Sequence, residues 1–239
     1  VENSSIAYNK VLGSNTGVFI GNIWNDFENL RKQKNAEINS FSATGLSPNI
    51  IANRVSYFMG LTGPSFVVDT GCSSSMVALM LAVQALRDGS ANACITGGIN
   101  HILNEDHYIY LAKFGGLLST GQCSSFSAEA DGFVRAEGAG LIMLKRLSDA
   151  LRDGDKIHAV ILGGAINNNG VNDTMPATSI SGQINLLEQA YKNAKIDPKH
   201  VQYIETHGTG TKVGDPVEAN ALGQFFSNKR INGDKLYIG

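Results

Sequence analysis

The chain has 239 residues, 43% of them hydrophobic and 17% charged, with 27 glycines and a formal net charge of −2. That length buries a sizeable core, and the balanced charge, with a pI near 6.2, gives no electrostatic reason to expect nucleic acid or a membrane as partner. The longest uninterrupted apolar run, Met76 to Val83, is far too short to span a bilayer, and no signal peptide is visible.

In chain order, Ser47-Pro48 supplies an N-cap and a first-turn proline for a helix that closes at Gly60. The β-branched run Ser65-Phe66-Val67-Val68 predicts a strand that gives way through Gly71 to a long helical pattern. From Met76 to Leu86 that pattern is apolar on nearly every side, as expected of a helix buried between layers, and Gly89 supplies its stop. Ala93–Thr96, Leu141–Leu144, Ile157–Leu162, Val201–Thr206 and Leu236–Ile238 predict further short strands. A helix is predicted from Ser181 to Ala194, with Ile184, Leu187, Ala190, Tyr191 and Ala194 on one face, ending before Asp197-Pro198. The alternation indicates an α/β chain built on a parallel, layered sheet. No internal linker, low-complexity tract or short-period repeat interrupts it.

Two segments carry chemistry. Cys72 falls where the strand meets the helix, so its thiol is expected at the tip of a sharp turn, close to N–H groups that can receive developing negative charge. Such a thiol suits a covalent acyl carrier, although most free cysteines are structural. The predicted strand over 201–206 delivers His207 into Gly208-Thr209-Gly210-Thr211-Lys212-Val213-Gly214-Asp215-Pro216. Glycines there let backbone approach a ligand, and Thr209 and Thr211 offer hydroxyls; the spacing fits neither a P-loop nor a dinucleotide fingerprint. The three cysteines, Cys72, Cys94 and Cys123, form no C-x-x-C pair, which points to a reducing, cytoplasmic setting. His101 and His107 have no cysteine at ligand spacing, so no metal site is expected. Asp131, Arg135 and Glu137 read as an internal charge network, and Asp149, Arg152, Asp153 and Lys156 as a solvated helix face. Asn167-Asn168-Asn169-Gly170 reads as a turn or the border of a substrate entrance.

Taken together, the motifs Val68-Asp69-Thr70-Gly71-Cys72-Ser73-Ser74-Ser75, Gly97-Gly98-Ile99-Asn100 and Phe126 to Gly138 resemble the β-ketoacyl synthase family. So do Asn167 to Gly170 and Glu205 to Glu218. These are the ketosynthase domains of polyketide and fatty acid synthases, and the fold implied is the layered αβαβα, thiolase-like one. The Glu205-Thr206-His207-Gly208-Thr209-Gly210-Thr211 form is more similar to the type I synthases than to dissociated bacterial enzymes. The resemblance implies that Cys72 takes an acyl chain from a phosphopantetheine thioester and that its own N–H forms half of an oxyanion hole. It implies that His207 assists decarboxylation of a malonyl-type extender, that Thr209 and Thr211 line the pantetheine passage, and that Glu218 is a buried carboxylate supporting the centre through a lysine. Partners implied are an acyl carrier protein and a second copy of the chain, paired through the strand Ser65–Val68. No cofactor is expected beyond the carrier's phosphopantetheine arm.

The chain departs from that pattern at its ends. It stops at Gly239, before the segment in which the family carries the lysine and a second histidine, and the family has residues ahead of the strand that Gly17–Gly21 resembles. The expectation is therefore a partial ketosynthase domain over 1–239, incomplete at both ends, with a non-catalytic remnant that only binds or dimerises as the rival reading. A thiolase or another acyl-transfer enzyme fits less well, since those relatives lack this Thr-Gly-Thr arrangement. Gly71 stands where the family commonly has alanine, which is expected to loosen the turn, and Ser124 and Ser125 stand where basic residues are common.

Overall fold

A computed structural model describes residues 4, 6–118, 120–172, 174–227, 229–230 and 235–239. In chain order its elements begin with α1 (Tyr8–Val11), β1 (Thr16–Gly21), α2 (Asp26–Gln33), α3 (Ser42–Leu46), α4 (Ile50–Met59), β2 (Ser65–Val68), α5 (Ser74–Asp88) and β3 (Ala93–Asn100). They continue through α6 (Asp106–Phe114), β4 (Gly138–Lys145), α7 (Leu147–Asp153), α8 (Ile180–Ala194), β5 (Tyr203–Ile204), α9 (Gly214–Ser227) and β6 (Tyr237–Ile238). Two compact units share them: 1–104 with 136–160, and 105–135 with 161–239.

In the first unit β1 is buried along its whole length, as a central strand covered on both faces must be. Val18 and Ile20 point to one face, where they pack with Val11, Ala52, Met59, Leu61 and Ile95. Phe19 points to the other, against Ala78, Ala82, Ala85 and Leu86 of α5 and against Cys94. The sheet order is β2-β1-β3-β4. β1 pairs in parallel with β2 and β3, but β4 runs antiparallel to β3, from Ala93 opposite Lys145 to Asn100 opposite Gly138. The sheet is thus mixed rather than parallel throughout, because apolar patterning reports burial and not strand direction.

α5 comes very close to this sheet. Ala78, Ala82 and Ala85 recur at helical spacing on its inner face. At its N-terminal end the neighbours are two glycines: a methyl on Gly21 would fall 2.6 Å from the Ser74 carbonyl carbon, and one on Gly98 would fall 2.9 Å from the Ser75 Cβ. Burial all round α5 is not found, since Met76 is 62% exposed. Gly89 closes the helix in the left-handed conformation, as Gly60 does α4. Ser47 does not cap α4: it ends α3, and α4 begins after Asn49 with no side-chain cap. Ile157–Leu162 is irregular rather than a strand, and Val160 and Leu162 are exposed.

The expected solvated face around α7 is an ion-pair cluster. Asp149 bridges Arg146 and Arg152 at 2.7 and 2.6 Å, while Lys145 lies 2.5 Å from both Asp153 and Asp155. Arg146 also donates to the carbonyls of Leu86 and Ala91, each at 2.9 Å, tying α7 to the end of α5. Lys156 takes no part in these bonds.

In the second unit α8 and α9 pack through Leu222, Phe225 and Phe226 against Ile184, Leu187 and Tyr191, with Tyr191 stacked on Phe225 at 5.4 Å. Ser179 caps α8, its hydroxyl accepting the Gly182 N–H at 2.9 Å. β5 and β6 form a short parallel pair, and the Thr206 N–H extends it to the Gly239 carbonyl. The strands expected over 201–206 and 236–238 are therefore present but shorter.

Gly21→Ala is expected to lower stability by about 1–3 kcal/mol, because its methyl meets helix backbone that cannot rotate away. An unchanged urea midpoint would show that α5 has room to move. A second expectation concerns acid. The Lys145 bond, then the Arg152 bond, pulls the Asp153 pKa from 3.8 down to about 2. A carboxylate depressed in the fold favours folding above its unfolded value and loses that contribution as pH falls through the folded one. Asp153→Asn should therefore flatten the fall in Tm across that window; parallel pH curves for the two proteins would remove this pair from the account.

Candidate active site

Cys72 lies in the first unit, between β2 and α5, and is exposed. The turn that presents it is tied by side chains rather than by a ladder. Asp69 accepts the Gly71 N–H at 3.1 Å. The buried Ser74 hydroxyl accepts from the Thr70 N–H at 2.9 Å and donates to the Gly71 carbonyl at 2.6 Å. Thr70 and Ser73 join hydroxyls at 2.9 Å. Gly71 itself has φ +68° with open space where a side chain would stand, so glycine suits the backbone angle here and relieves strain rather than loosening the turn.

Beside this turn is a cavity of about 600 Å³. Cys72 stands on its wall with Met76, Leu79, Ile99 and Ile142, and Gly97 and Gly98 of β3 keep that wall low. The two other thiols differ from Cys72 in place. Cys94 is fully buried under α5, where burial pushes its pKa up to about 11. Cys123 is exposed in the second unit, 3.6 Å from the Ser125 hydroxyl.

The second unit brings His207, Thr209, Thr211 and Glu218 together. His207 follows β5 in an irregular segment, with its side chain exposed. Glu218, about one turn into α9, accepts the N–H groups of His207 and Gly208 at 2.8 and 3.0 Å. It is half-buried, and its partners among the described residues are these backbone donors, so it holds the chain that carries His207 directly. The Ser125 hydroxyl donates to the Gly208 carbonyl, and the Gly132 N–H to the Gly210 carbonyl at 2.7 Å. Thr209 and Thr211 lie hydroxyl to hydroxyl at 2.9 Å.

Sequence reasoning gave Asp215 and Ser125 no part in this turn. An acidic residue in the first turn of a helix, just ahead of Pro216, was the available sign for Asp215; nothing local marked Ser125 as a donor here. The expected network of Asp131, Arg135 and Glu137 is absent among the described residues. Asp131 faces Lys212 at 3.7 Å, Arg135 lies over the Tyr108 ring at 4.5 Å, and Glu137 accepts from His101 and the Ile102 N–H. Asn167 to Gly170 is irregular and is fastened to α8 by the Asn167 amide, which donates to the Gly182 carbonyl at 2.8 Å. No cluster of three metal-ligating side chains occurs among the described residues, and none of their helices is long and apolar enough to cross a membrane.

The chain is similar to known proteins over most or all of its length. The chain is 43% identical over 239 residues to a phenolphthiocerol/phthiocerol polyketide synthase of Mycobacterium tuberculosis, all of this chain against 13% of that protein. It is 47% identical over 215 residues to the polyketide synthase GfsA of Streptomyces halstedii, 90% of this chain against 3% of that protein. The chain thus spans only a small part of these relatives. Among solved structures, it superposes on the ketosynthase from module 6 of the bacillaene synthase of Bacillus subtilis 168 with a TM-score of 0.91 at 35% identity, covering 100% of this chain and 40% of that one. An oxazolomycin ketosynthase domain from Streptomyces albus JA3453 gives the same TM-score at 36% identity, covering 100% and 41%. The αβαβα, thiolase-like fold class expected from sequence is that of these ketosynthases. Residues 1–150 match the β-ketoacyl synthase N-terminal domain and residues 158–239 the C-terminal domain, so the chain belongs to the β-ketoacyl synthase family.

Proposed function

We propose that the chain is part of a condensing domain that extends an acyl chain by decarboxylative Claisen condensation. The observation that carries this reading is the placement of Cys72, exposed on a braced strand-to-helix turn beside a largely apolar cavity. The Cys72 sulfur attacks an acyl thioester on the phosphopantetheine arm of an acyl carrier protein and the carrier's thiol leaves. A malonyl-type thioester then loses CO₂, and the electron pair of the broken carbon–carbon bond passes into an enolate. The enolate carbon attacks the acyl carbonyl, a new carbon–carbon bond forms, and the Cys72 sulfur departs. His207 is assigned the charge that develops on the extender's carbonyl oxygen, Thr209 and Thr211 the pantetheine arm, and Glu218 the backbone on which His207 sits. Support comes from family membership and from a His207 turn whose backbone is already fastened at several points.

Acylation is the direct test. A short acyl N-acetylcysteamine thioester, followed by peptide mapping, is expected to label Cys72 ahead of exposed Cys123 and to leave buried Cys94 unlabelled; equal labelling of Cys72 and Cys123 would overturn the reading. In protein carrying the whole condensing domain, Glu218→Gln should slow CO₂ release from malonyl carrier protein by roughly 10²-fold, the effect of misplacing one donor at a charged transition state. An unchanged rate would free Glu218 of any part.

A pairing of two copies belongs to the same reading. β2 is the edge of its sheet, and Phe66 on it is 38% exposed. A bare edge of this kind recruits a second strand. Static light scattering at micromolar concentration is expected to give a dimer mass or larger, and a monomer mass would exclude it.

A further inference from the structure

Ser74 opens α5 and is 5% exposed, and its backbone is seated hard against the sheet: a methyl on Gly21 would fall 2.6 Å from the Ser74 carbonyl carbon. Its hydroxyl is committed twice. The Thr70 nitrogen lies 2.9 Å from Oγ, and the Gly71 carbonyl oxygen 2.6 Å from it. A peptide N–H can only donate and a carbonyl can only accept, so the hydroxyl takes the first proton and gives its own to the second. The Ser74 N–H also reaches the Gly71 carbonyl, at 3.1 Å, which occupies both lone pairs of that oxygen. One firmly packed residue therefore grips the chain just ahead of Cys72.

What these bonds fix is a peptide plane. Gly71 sits at φ +68° with no side chain to limit the torsion that follows, so its own sterics do not decide which way the peptide joining Gly71 to Cys72 faces. That peptide is trans, so its carbonyl and the Cys72 N–H share one plane and point in opposite directions. Holding the carbonyl toward the first turn of α5 aims the Cys72 N–H away from it. Two donors on the carbonyl oxygen also draw charge from the amide nitrogen and make its N–H a better donor, because hydrogen bonds in a chain polarise one another.

We propose that Ser74 is a positioning residue for acylation: through the Gly71 carbonyl, its hydroxyl aims and strengthens the Cys72 N–H as donor to the oxyanion that forms when Cys72 is acylated. This rests on the preceding reading of Cys72 as an acyl carrier and deepens it by naming what holds its oxyanion donor in place. In that step the Cys72 thiolate, its proton given up to solvent, bonds to the thioester carbon and the carbonyl pair moves onto oxygen. The pair then returns, the bond to the leaving sulfur breaks, and the departing thiolate takes a proton from solvent. Alkylation of the same thiolate by iodoacetamide displaces iodide from a methylene carbon and builds no oxyanion. An oxyanion donor is thus felt in one reaction only, whereas exposure or ionisation of the thiol is felt in both.

The test compares two second-order rate constants at Cys72, read by peptide mapping in protein carrying the whole condensing domain: one with a short acyl N-acetylcysteamine thioester, the other with iodoacetamide. Ser74→Ala is expected to slow acylation roughly tenfold or more, toward the roughly 10²–10³ lost when such a donor is removed outright, and to leave alkylation within about twofold of the unaltered protein. Equal slowing of both reactions would reduce Ser74 to a structural brace, and unchanged acylation would free it of any part; either result overturns the proposal. Should Ser74→Ala fail to fold, Ser74→Cys fills the same space with a weak donor, and fragment sequencing separates its label from that on Cys72. The same selective loss of acylation is expected there, and its absence overturns the proposal. An unaltered protein that alkylates at Cys72 but does not acylate there overturns the condensation reading and this proposal together, whereas undiminished acylation in the Ser74 variants overturns this proposal alone.

Discussion

The close contact between α5 and its sheet is the constraint on which the first unit depends. Helix backbone at Ser74 and Ser75 lies where a side chain on Gly21 would be, and the Ser75 Cβ where one on Gly98 would be. Interiors are packed to crystal-like density, so such an approach is available only where the facing residues have no side chain and the helix face is alanine. Ala78, Ala82 and Ala85 supply that face. Once α5 is seated, the short link from β2 must turn sharply, and Gly71 makes the turn at a positive φ. Cys72 is exposed because the turn is tight, and the low glycine wall of β3 leaves a cavity beside it.

A different economy governs the second unit. The segment from His207 to Thr211 has no ladder and no helix to satisfy its peptide groups, and unsatisfied peptide groups near a protein interior are costly. Side chains take over that task. Glu218 receives two N–H groups, Ser125 satisfies a carbonyl, and Asp215 joins Gly210 to Phe126 across more than eighty residues of sequence. A loop fastened in this way loses little freedom when a ligand arrives, which is what a positioning segment requires.

The stabilising polar contacts of the first unit are of another kind. Arg146 caps two carbonyls at the α5 end while also pairing with Asp149, so the charges around α7 fasten an element rather than merely solvating it. Planar, forked donors suit that double duty, and lysine would not replace it.

Local pattern was enough to place β2, α5, α8 and the two segments bearing Cys72 and His207, because periodicity, glycine stops and a strand running into a helix are properties of neighbouring residues. It was enough also for the α/β class and, through its ordered motifs, for the family. Tertiary structure alone decided the rest. That β4 runs antiparallel to β3 is set by the direction in which the chain returns to the sheet, and the apolar run at 157–162 is irregular although its local pattern is that of a strand. That Glu218 holds the peptide groups of His207 and Gly208, eleven and ten residues earlier, was not legible in the sequence. The only sign of Asp215 in sequence is its place in the first turn of a helix ahead of Pro216, since what matters about it is burial between two distant segments. Hydrophobic period is written residue by residue, whereas the partner of a buried carboxylate is fixed only when the chain has folded back on itself.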